Sequence, residues 1–382
     1  MIGGGGREHA LRHVLARTAT VIDDSDRADL VVIGPDAEVV DGLADRLRAR
    51  GLRVFAPGAD GGRLEGSKAW MKDVLRDAGV PTARHAVFTD VAPAVAFLKT
   101  MEPPYVVKTD GLAAGKGVLV TDSLAAAADD VAAKLSGAAF GAAGRTVVIE
   151  EGLAGPELSV LAVCNGRDFA LLPSARDHKR LGEGDVGPNT GGMGAYSPVP
   201  EIDGIDVADA VGRTLAELVR RGIDYRGVLY AGFILTGDGP RILEYNVRFG
   251  DPEAQAVLPR LTSDLAELLA AAATGQPLPE VTVGDDAAVT VALAAAGYPR
   301  DAVAGDIITG LADAEAMDGV LVFRAAATAD AGGGLLTGGG RELHVTALAP
   351  TLPEARRRAY HAIDRIHFAG MQFRRDIGAD AA

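Results

Sequence analysis

The chain reads as an α/β and α+β protein of more than one domain, and three features of its 382 residues carry that reading. Short β-branched runs alternate with helical patterns over the first sixty residues. A strand, a Gly-rich turn and a second strand follow near residues 104–120. From Ala287 onward strands dominate, as in a separate β-rich domain. This length exceeds what one hydrophobic core usually fills, so two or three domains are expected.

Composition narrows the class. A net charge of −14 argues against general binding to nucleic acid or to a membrane surface, but leaves room for a small anionic ligand held by clustered basic residues. Cys164 is the only cysteine, which excludes an intramolecular disulfide and a cysteine-based zinc site. The start lacks an apolar signal-peptide core, and no apolar run is long enough to span a bilayer. A soluble, cytoplasmic monomer is the expectation.

Gly3, Gly4, Gly5 and Gly6 lead into a helical pattern with Leu11, Val14 and Leu15 as its apolar face. Glycines at a helix start allow close approach of an anion, whose charge the free N–H groups favour. Only Met1 and Ile2 precede them, too little for the strand that a dinucleotide fingerprint needs, so a flexible arm is the plain alternative. Residues 18–27 are short and polar. Residues 28–35 read as a buried strand, 38–50 as one helix and 53–56 as a second strand, together a small parallel α/β unit. A helix starting near Leu64 ends at Gly79, with Ser67 as a candidate cap. Lys68 and Lys72 are four residues apart and share a face, an arrangement that is often merely solvated.

The hairpin at 104–120 places Lys108 at the end of its first strand and Lys116 in the turn. It is no Walker A loop, because the spacing differs, no Ser or Thr follows Lys116 and no helix follows at once. It suits a mobile cover for phosphates, with backbone N–H groups and lysines as donors; a plain hairpin with exposed lysines is the alternative. Residues 123–135 read as an Ala-rich helix, and 146–151 as a strand ending in Glu150 and Glu151. Glu157 stands at the mouth of a strand from Gly155. Such an acid can accept from an adenine amino group or ribose hydroxyls, or be ordinary surface charge. Residues 174–198 show little regular structure and are dense in Gly, Asp, Arg and Lys, which favours an ordered site loop.

A helix over 207–221 and a strand over 227–235 lead to residues 242–249, where polar and apolar residues alternate. Glu244, Asn246 and Arg248 then share one face, and Tyr245, Val247 and Phe249 the other. A carboxylate, a carboxamide and a guanidinium side by side are costly to bury without partners. A divalent cation and a polyphosphate would supply them, and oxygen ligands of this kind suit Mg²⁺; a simply solvated face is the alternative. Strands over 288–294, 319–326 and 341–347 and an Arg-rich helix over 353–367 follow, with a frayed tail expected from Asp376.

Six motifs occur in one order: residues 5–10 (GGREHA), 65–69 (EGSKA), 108–117 (KTDGLAAGKG), 177–180 (DHKR), 187–198 (GPNTGGMGAYSP) and 246–253 (NVRFGDPE). On them the chain resembles the phosphoribosylamine–glycine ligase (glycinamide ribonucleotide synthetase) family of the ATP-grasp superfamily, over about residues 3–378. The resemblance implies an ATP-grasp fold with a shortened N-terminal Rossmann-like (pre-ATP-grasp) domain over 1–60. The ATP-grasp domain would span 61–286, with a nucleotide lid near 83–152, and a C-terminal β-rich domain 287–382. It implies a purine-synthesis reaction in which ATP, glycine and 5-phosphoribosylamine give glycinamide ribonucleotide, ADP and phosphate. ATP and Mg²⁺ (or Mn²⁺) are the cofactors implied, and the partners are small molecules, with no nucleic acid and no membrane.

The resemblance also implies roles. Lys68 and Lys108 would hold ATP phosphates under a loop of Gly111, Gly115, Lys116 and Gly117. Glu150, Glu151 and Glu157 would lie around adenine and ribose, and Glu244 and Asn246 would hold the metal. Gly5, Gly6, Arg7, Glu8 and His9 would face the two substrates, as would Asn189, Thr190, Gly191, Gly192, Asp251 and Glu253. Arg248, Lys179 and Asp177 would be catalytic, with Arg248 stabilising the transferring phosphoryl group. These residues suit a reaction that positions groups and neutralises charge, and no Ser–His–Asp or Cys–His set is suggested. The family's N-terminal domain is longer: a full first strand, further strand–helix units and a Pro-Gly-Asn turn are missing here, in the part expected to help hold the phosphoribosylamine. Two other readings stay open, an ATP-grasp ligase for a different amine and a non-catalytic nucleotide-binding homologue.

Overall fold

The computed structural model describes residues 1–113, 117–137, 144–200, 206–330 and 332–381. Its amino-terminal unit is small. Val31–Val32 and Val54–Phe55 pair in parallel, and Ile2 adds a single parallel bridge to Ile33. The first helix, Gly6–Leu15, buries Leu11, Val14 and Leu15 as their spacing predicts. The one helix expected over 38–50 is two, Asp36–Val40 and Leu43–Ala49. Gly42 lies between them at φ 75°, a left-handed conformation that glycine adopts freely and that ends a right-handed helix. The next helices, Ala59–Gly66 and Lys68–Ala78, meet at Ser67, whose Oγ accepts the Trp70 N–H at 3.1 Å.

A lobe with its own core follows. Four antiparallel strands stand in the order His85–Phe88, Val147–Glu151, Tyr105–Thr109 and Val118–Thr121. Helices Val91–Leu98 and Leu124–Leu135 pack on them through Ala94, Leu98, Ala127 and Val131. The next sheet is also antiparallel, in the order Gly239–Asn246, Arg226–Thr236, Glu157–Asn165 and Phe169–Leu171. Side chains on a strand alternate, and this sheet serves two cores. Leu158, Val160, Ala162 and Cys164 join helix Val207–Arg220, whereas Leu161 and Val163 join helix Leu265–Thr274.

The strand expected over 242–249 runs instead over Gly239–Asn246. Its ladder shifts by one residue, with Gly232 opposite Glu244 and Phe233 opposite Ile242, so Leu243 bulges out. The extra residue lets Ile242 and Tyr245 both reach the core, which strict alternation would forbid. The strand stops because its next amide is taken elsewhere: the Val247 N–H donates to Glu65 Oε2 at 2.8 Å.

Residues 174–198 are more regular than expected. Arg180–Gly182 and Val186–Asn189 form a hairpin. Arg176–Asp177 and Gly194–Ser197 enter a five-stranded sheet in the order Val320–Arg324, Arg341–Ala349, Ala287–Ala294, Gly194–Ser197, Arg176–Asp177. The carboxyl-terminal β-rich part is therefore joined to the middle of the chain through one sheet, with strand partners about a hundred residues apart. Its second sheet, Ala304–Ile308, Leu335–Gly338 and Thr328–Ala329, has little apolar patterning, and Ile307 is 68% exposed. Among the described residues no helix is long and apolar enough to cross a membrane.

The expected frayed tail is tied down. Ile377 is buried in the main core, and the buried Arg374 bonds both oxygens of Asp376 at 2.7 Å and pairs with Asp185. Gly184 N–H adds a 2.8 Å bond to Asp376. Burial pushes the Asp376 carboxyl up, but the Arg374 bonds and the Gly184 amide outweigh it and hold it at about 2 against an ordinary 3.8. A depressed carboxyl stabilises the fold above its unfolded value and loses that contribution as pH falls. Asp376→Asn is therefore expected to flatten the stability–pH curve between about pH 4 and about pH 2, read from urea midpoints, and to leave its slope near neutral pH unchanged.

Candidate active site

The hairpin lobe meets the Gly239–Asn246 strand across a buried ion triad. Lys72 Nζ lies 3.0 Å from Glu150 Oε2, and Lys108 Nζ lies 3.0 Å from Glu150 Oε1, the latter an ion-pair contact without hydrogen-bond alignment. Lys72 is 0% exposed and also donates to Thr82 Oγ1 at 2.7 Å, which donates to the Ile242 carbonyl at 2.6 Å. Lys108 donates to the bulged Leu243 carbonyl at 3.2 Å. Burial pushes the Lys72 ammonium down to about 8, and Glu150 limits that fall. Burial alone would raise Glu150; the two lysines outweigh it and hold the carboxyl low. Glu150 thus positions both lysines, while its Oε1 has no hydrogen-bond partner among the described residues.

Lys68 sits one turn before Lys72 and donates to the Gly111 carbonyl at 3.3 Å. The Asp110 carboxylate accepts from Ser67 Oγ and the Ala69 N–H, each at 3.0 Å, which ties this helix start to the hairpin turn. Gly117 closes the turn, its carbonyl accepting the Thr109 N–H at 2.9 Å. Gly115 and Lys116 lie outside the described residues. Glu151, next along the strand, turns to the opposite face, where it accepts the Arg84 N–H at 2.8 Å and lies 3.6 Å from Arg241.

The expected metal ligands lie at the strand's end. Among the described residues nothing donates a hydrogen bond to the Glu244 carboxylate. Burial would raise its carboxyl, yet Lys179, Lys108, Lys68 and Arg248 together hold it below the usual range. Asn246 Oδ1 accepts from Arg248 Nη2 at 3.2 Å, and the same guanidinium pairs with the buried Glu65 at 2.8 Å. Arg248 lies just past the strand, and its buried Nε has no hydrogen-bond partner among the described residues. Nor does any group of three or more His, Cys, Asp or Glu there form a metal cage. Two oxygen side chains beside an unmet donor fit an ion that completes its shell with phosphate oxygens and water.

A second acidic group faces this one. Lys179 pairs with Glu157 and lies 3.4 Å from Asp177, whose carboxylates outweigh desolvation and raise the ammonium well above its ordinary range. Glu253 is buried, accepting from Tyr230 OH at 3.0 Å and Ser159 Oγ at 3.4 Å. Burial, and then the Asp177 carboxylate, push the Glu253 carboxyl up, so this pair of acids can hold a proton near neutral pH.

The amino-terminal glycines join the far end. The Glu8 carboxylate folds back over them: a Cβ on Gly5 would lie 2.7 Å from Glu8 Oε2, and one on Gly34 2.2 Å from Oε1. The chain's own acid thus lies against these glycines, paired with Arg7 at 2.7 Å. Gly6 approaches His344 and Gln255, each within 2.8 Å of a built Cβ. The Arg7 N–H reaches Asp251 Oδ2 at 3.4 Å, and Gln255 Nε2 reaches Oδ1 at 2.8 Å. Arg341 Nη1 donates to the carbonyls of Gly191, Gly192 and Asp251 at 2.8, 2.9 and 3.1 Å, and Nη2 lies 3.2 Å from Asp251 Oδ1. Thr190 Oγ1 donates to the Lys179 carbonyl at 2.8 Å, and Asn189 pairs with Arg180 in the hairpin.

His9 departs from the group. Its Nδ1 accepts the Arg324 N–H at 2.7 Å, and it lines a cleft of about 400 Å³ with His13, Glu315 and Phe323 that no other expected site residue shares. Two positions on from Arg7, it lies on the opposite side of the helix. Sequence reasoning missed Glu65, Asp110, Tyr230, Arg341 and His344 as site supports, and left Lys72 as a solvated residue. Only Lys72 carried a signal, its spacing from Lys68; the others act through contacts made far along the chain.

Three comparisons bear on this site. Models of phosphoribosylglycinamide synthetase match the chain over residues 19–65 (N domain), 66–254 (ATP-grasp, or A, domain) and 288–380 (C domain). The phosphoribosylamine–glycine ligase of Streptomyces coelicolor is 45% identical over 421 aligned positions, covering 100% of this chain and 99% of that relative. That of Brucella melitensis is 42% identical over 419, covering 99% and 96%. Both alignments are longer than the chain, so these relatives carry segments that it lacks. Among solved structures, the phosphoribosylamine–glycine ligase of Thermotoga maritima superposes with a TM-score of 0.87 at 35% identity, covering 98% of each chain. The biotin carboxylase domain of Hydrogenobacter thermophilus 2-oxoglutarate carboxylase, solved with magnesium ADP and bicarbonate, shares the fold at 17% identity, with a TM-score of 0.68 over 95% of this chain and 78% of that one.

Removing one partner of a buried ion pair leaves a charge uncompensated, at a cost of about 3–5 kcal/mol. Lys72→Met is therefore expected to destabilise the protein by about 3 kcal/mol in urea unfolding. A loss below about 1 kcal/mol would mean that Glu150 needs only Lys108.

Proposed function

The chain belongs to the phosphoribosylglycinamide synthetase family, and from that premise we propose that it joins glycine to 5-phosphoribosylamine, using ATP, to give glycinamide ribonucleotide, ADP and phosphate. The observation that carries the reading is the buried Arg248 Nε, unmet among the described residues, on a guanidinium that bonds Asn246, with Lys68 at the hairpin turn and Lys108 on the Leu243 carbonyl beside Glu244. Such a group of cations and oxygen side chains suits a phosphate-bearing ligand that brings a cation.

A carboxylate is a poor acyl donor, because its oxide is a poor leaving group. One glycine carboxylate oxygen therefore attacks the γ-phosphorus of ATP, the bond to the β–γ bridging oxygen breaks, and ADP departs. The glycyl phosphate so formed is attacked at its carbonyl carbon by the amine, phosphate leaves, and the amine gives up a proton. The chain supplies no covalent nucleophile. It orients the reactants and offsets charge on the phosphoryl group in flight. Lys68 and Lys108 hold the phosphates under the hairpin turn. Arg248, with its free Nε, meets the transferring group. Lys179, fixed by Glu157 and Asp177, meets the glycine carboxylate, and the Asp177–Glu253 pair takes the proton.

Glu244 and Asn246 would hold Mg²⁺ or Mn²⁺, which supplies neutralisation of phosphate charge there. The amine lies toward the 189–192 turn, Asp251 and the start of the first helix. The protein acts as a cytoplasmic monomer on small molecules alone.

ADP formation assayed with each substrate in turn tests the reading. ADP should appear only when glycine and phosphoribosylamine are both present. Turnover with another amine in its place would point to a ligase of different specificity, and no hydrolysis with any pairing to a nucleotide-binding homologue. Arg248→Ala is expected to lower kcat at least about tenfold, roughly 1.4 kcal/mol of transition-state stabilisation, with a smaller change in KM for ATP.

A further inference from the structure

Asp177, Lys179 and the 189–192 turn lie on one segment, and residues 374–380 grip that segment from its outer side. Arg374 donates to the Arg180 carbonyl at 3.2 Å and pairs with Asp185. Asp376 accepts the Gly184 N–H at 2.8 Å, and the Arg375 N–H donates to Glu183 Oε1 at 3.1 Å. Ile377 is fully buried and lies so close to Gly194 that a Cβ there would meet it at 2.9 Å. Asp380 accepts from Arg176 Nη1 and from Tyr196 OH, each at 3.2 Å.

The last contact leads to the reacting groups. Arg176, next to Asp177, is buried, and its Nε donates to the Glu157 carbonyl at 2.9 Å. Glu157 in turn holds Lys179 through its carboxylate. A shift of Arg176 therefore moves Asp177 along the chain and Glu157, with Lys179, across the sheet. The nucleotide side has separate anchors in Lys72, Glu150, Lys108 and Asp110, none of which touches residues 374–380.

We propose that Arg374–Asp380 is a brace that positions Asp177 and Lys179 for the glycine and amine steps, with Asp380 as the positioning residue that acts through Arg176. The brace rests on the ligase reading above. It makes the last residues of the carboxyl-terminal part determinants of acceptor-substrate kinetics, although they touch neither substrate.

The test uses the full chain. Asp380 is 47% exposed, so its substitution spares the core. Asp380→Ala removes one of the acceptors that Arg176 and Tyr196 use, and Asp380→Asn keeps one acceptor oxygen. Asp380→Ala is expected to lower kcat/KM for glycine at least about tenfold while KM for ATP stays within about twofold, and Asp380→Asn to recover most of the loss. A purely structural role would lower all three substrates' kcat/KM alike and move the urea midpoint. Equal losses, or unchanged kinetics, overturn the brace. If Asp380→Ala fails to fold, Asp376→Asn decides by the same split between glycine and ATP. A parent chain without ADP formation that depends on glycine and phosphoribosylamine sinks the ligase reading; an active parent beside an indifferent Asp380→Ala sinks the brace alone.

Discussion

A buried carboxylate shared by two lysines is the constraint on which the meeting of the hairpin lobe with the strand floor depends. Glu150 comes from the lobe, Lys72 from the helix beneath it and Lys108 from the neighbouring lobe strand. Each charge is too costly to bury alone, so the three must meet, and meeting sets the lobe against the floor. The floor takes part through its irregularity: the Leu243 bulge turns a carbonyl out of the ladder, and Lys108 binds it. The same bulge returns Tyr245 to the core and leaves Glu244 at the mouth of the site. One extra residue in a strand thus serves packing and chemistry together.

The acceptor side is organised by a different device. Its acids and bases sit on segments that have little core of their own, and the carboxyl-terminal sheet holds them. Arg341 gathers the carbonyls of Gly191, Gly192 and Asp251 under one guanidinium. Strand Gly194–Ser197 pairs with Ala287–Ala294 on one side and with the edge strand Arg176–Asp177 on the other, and Arg374–Asp380 closes the outside.

Much of this was legible in the residues. The hairpin around Lys108, the cap at Ser67 and the strands at 147–151 and 287–294 all follow from spacing, whereas the alternation expected over 242–249 is broken by the Leu243 bulge and the end of the strand at Asn246. The misses share one cause. Gly42 breaks a pattern whose apolar period runs straight through it. Residues 174–198 look irregular because their strands are two to four residues long, and one of them, Gly194–Ser197, pairs with a strand about a hundred residues away. The tail from Asp376 looks polar and loose, yet a single buried arginine anchors it. The role of Glu150 as counter-ion was hidden because its neighbours in space, Lys72 and Lys108, are not its neighbours in the chain.

By itself the sequence determined the family, the order in which its motifs occur, and the turns that present them. Those properties depend on residue type and on spacing within a few positions. Only the tertiary structure decided which charges neutralise one another, and so which remain for a ligand. Lys72 and Glu150 cancel in the interior, His9 turns to a different cleft, and Glu244 is left facing four cations. Burial and distance set those outcomes, because a charge's cost depends on what surrounds it once the chain has folded.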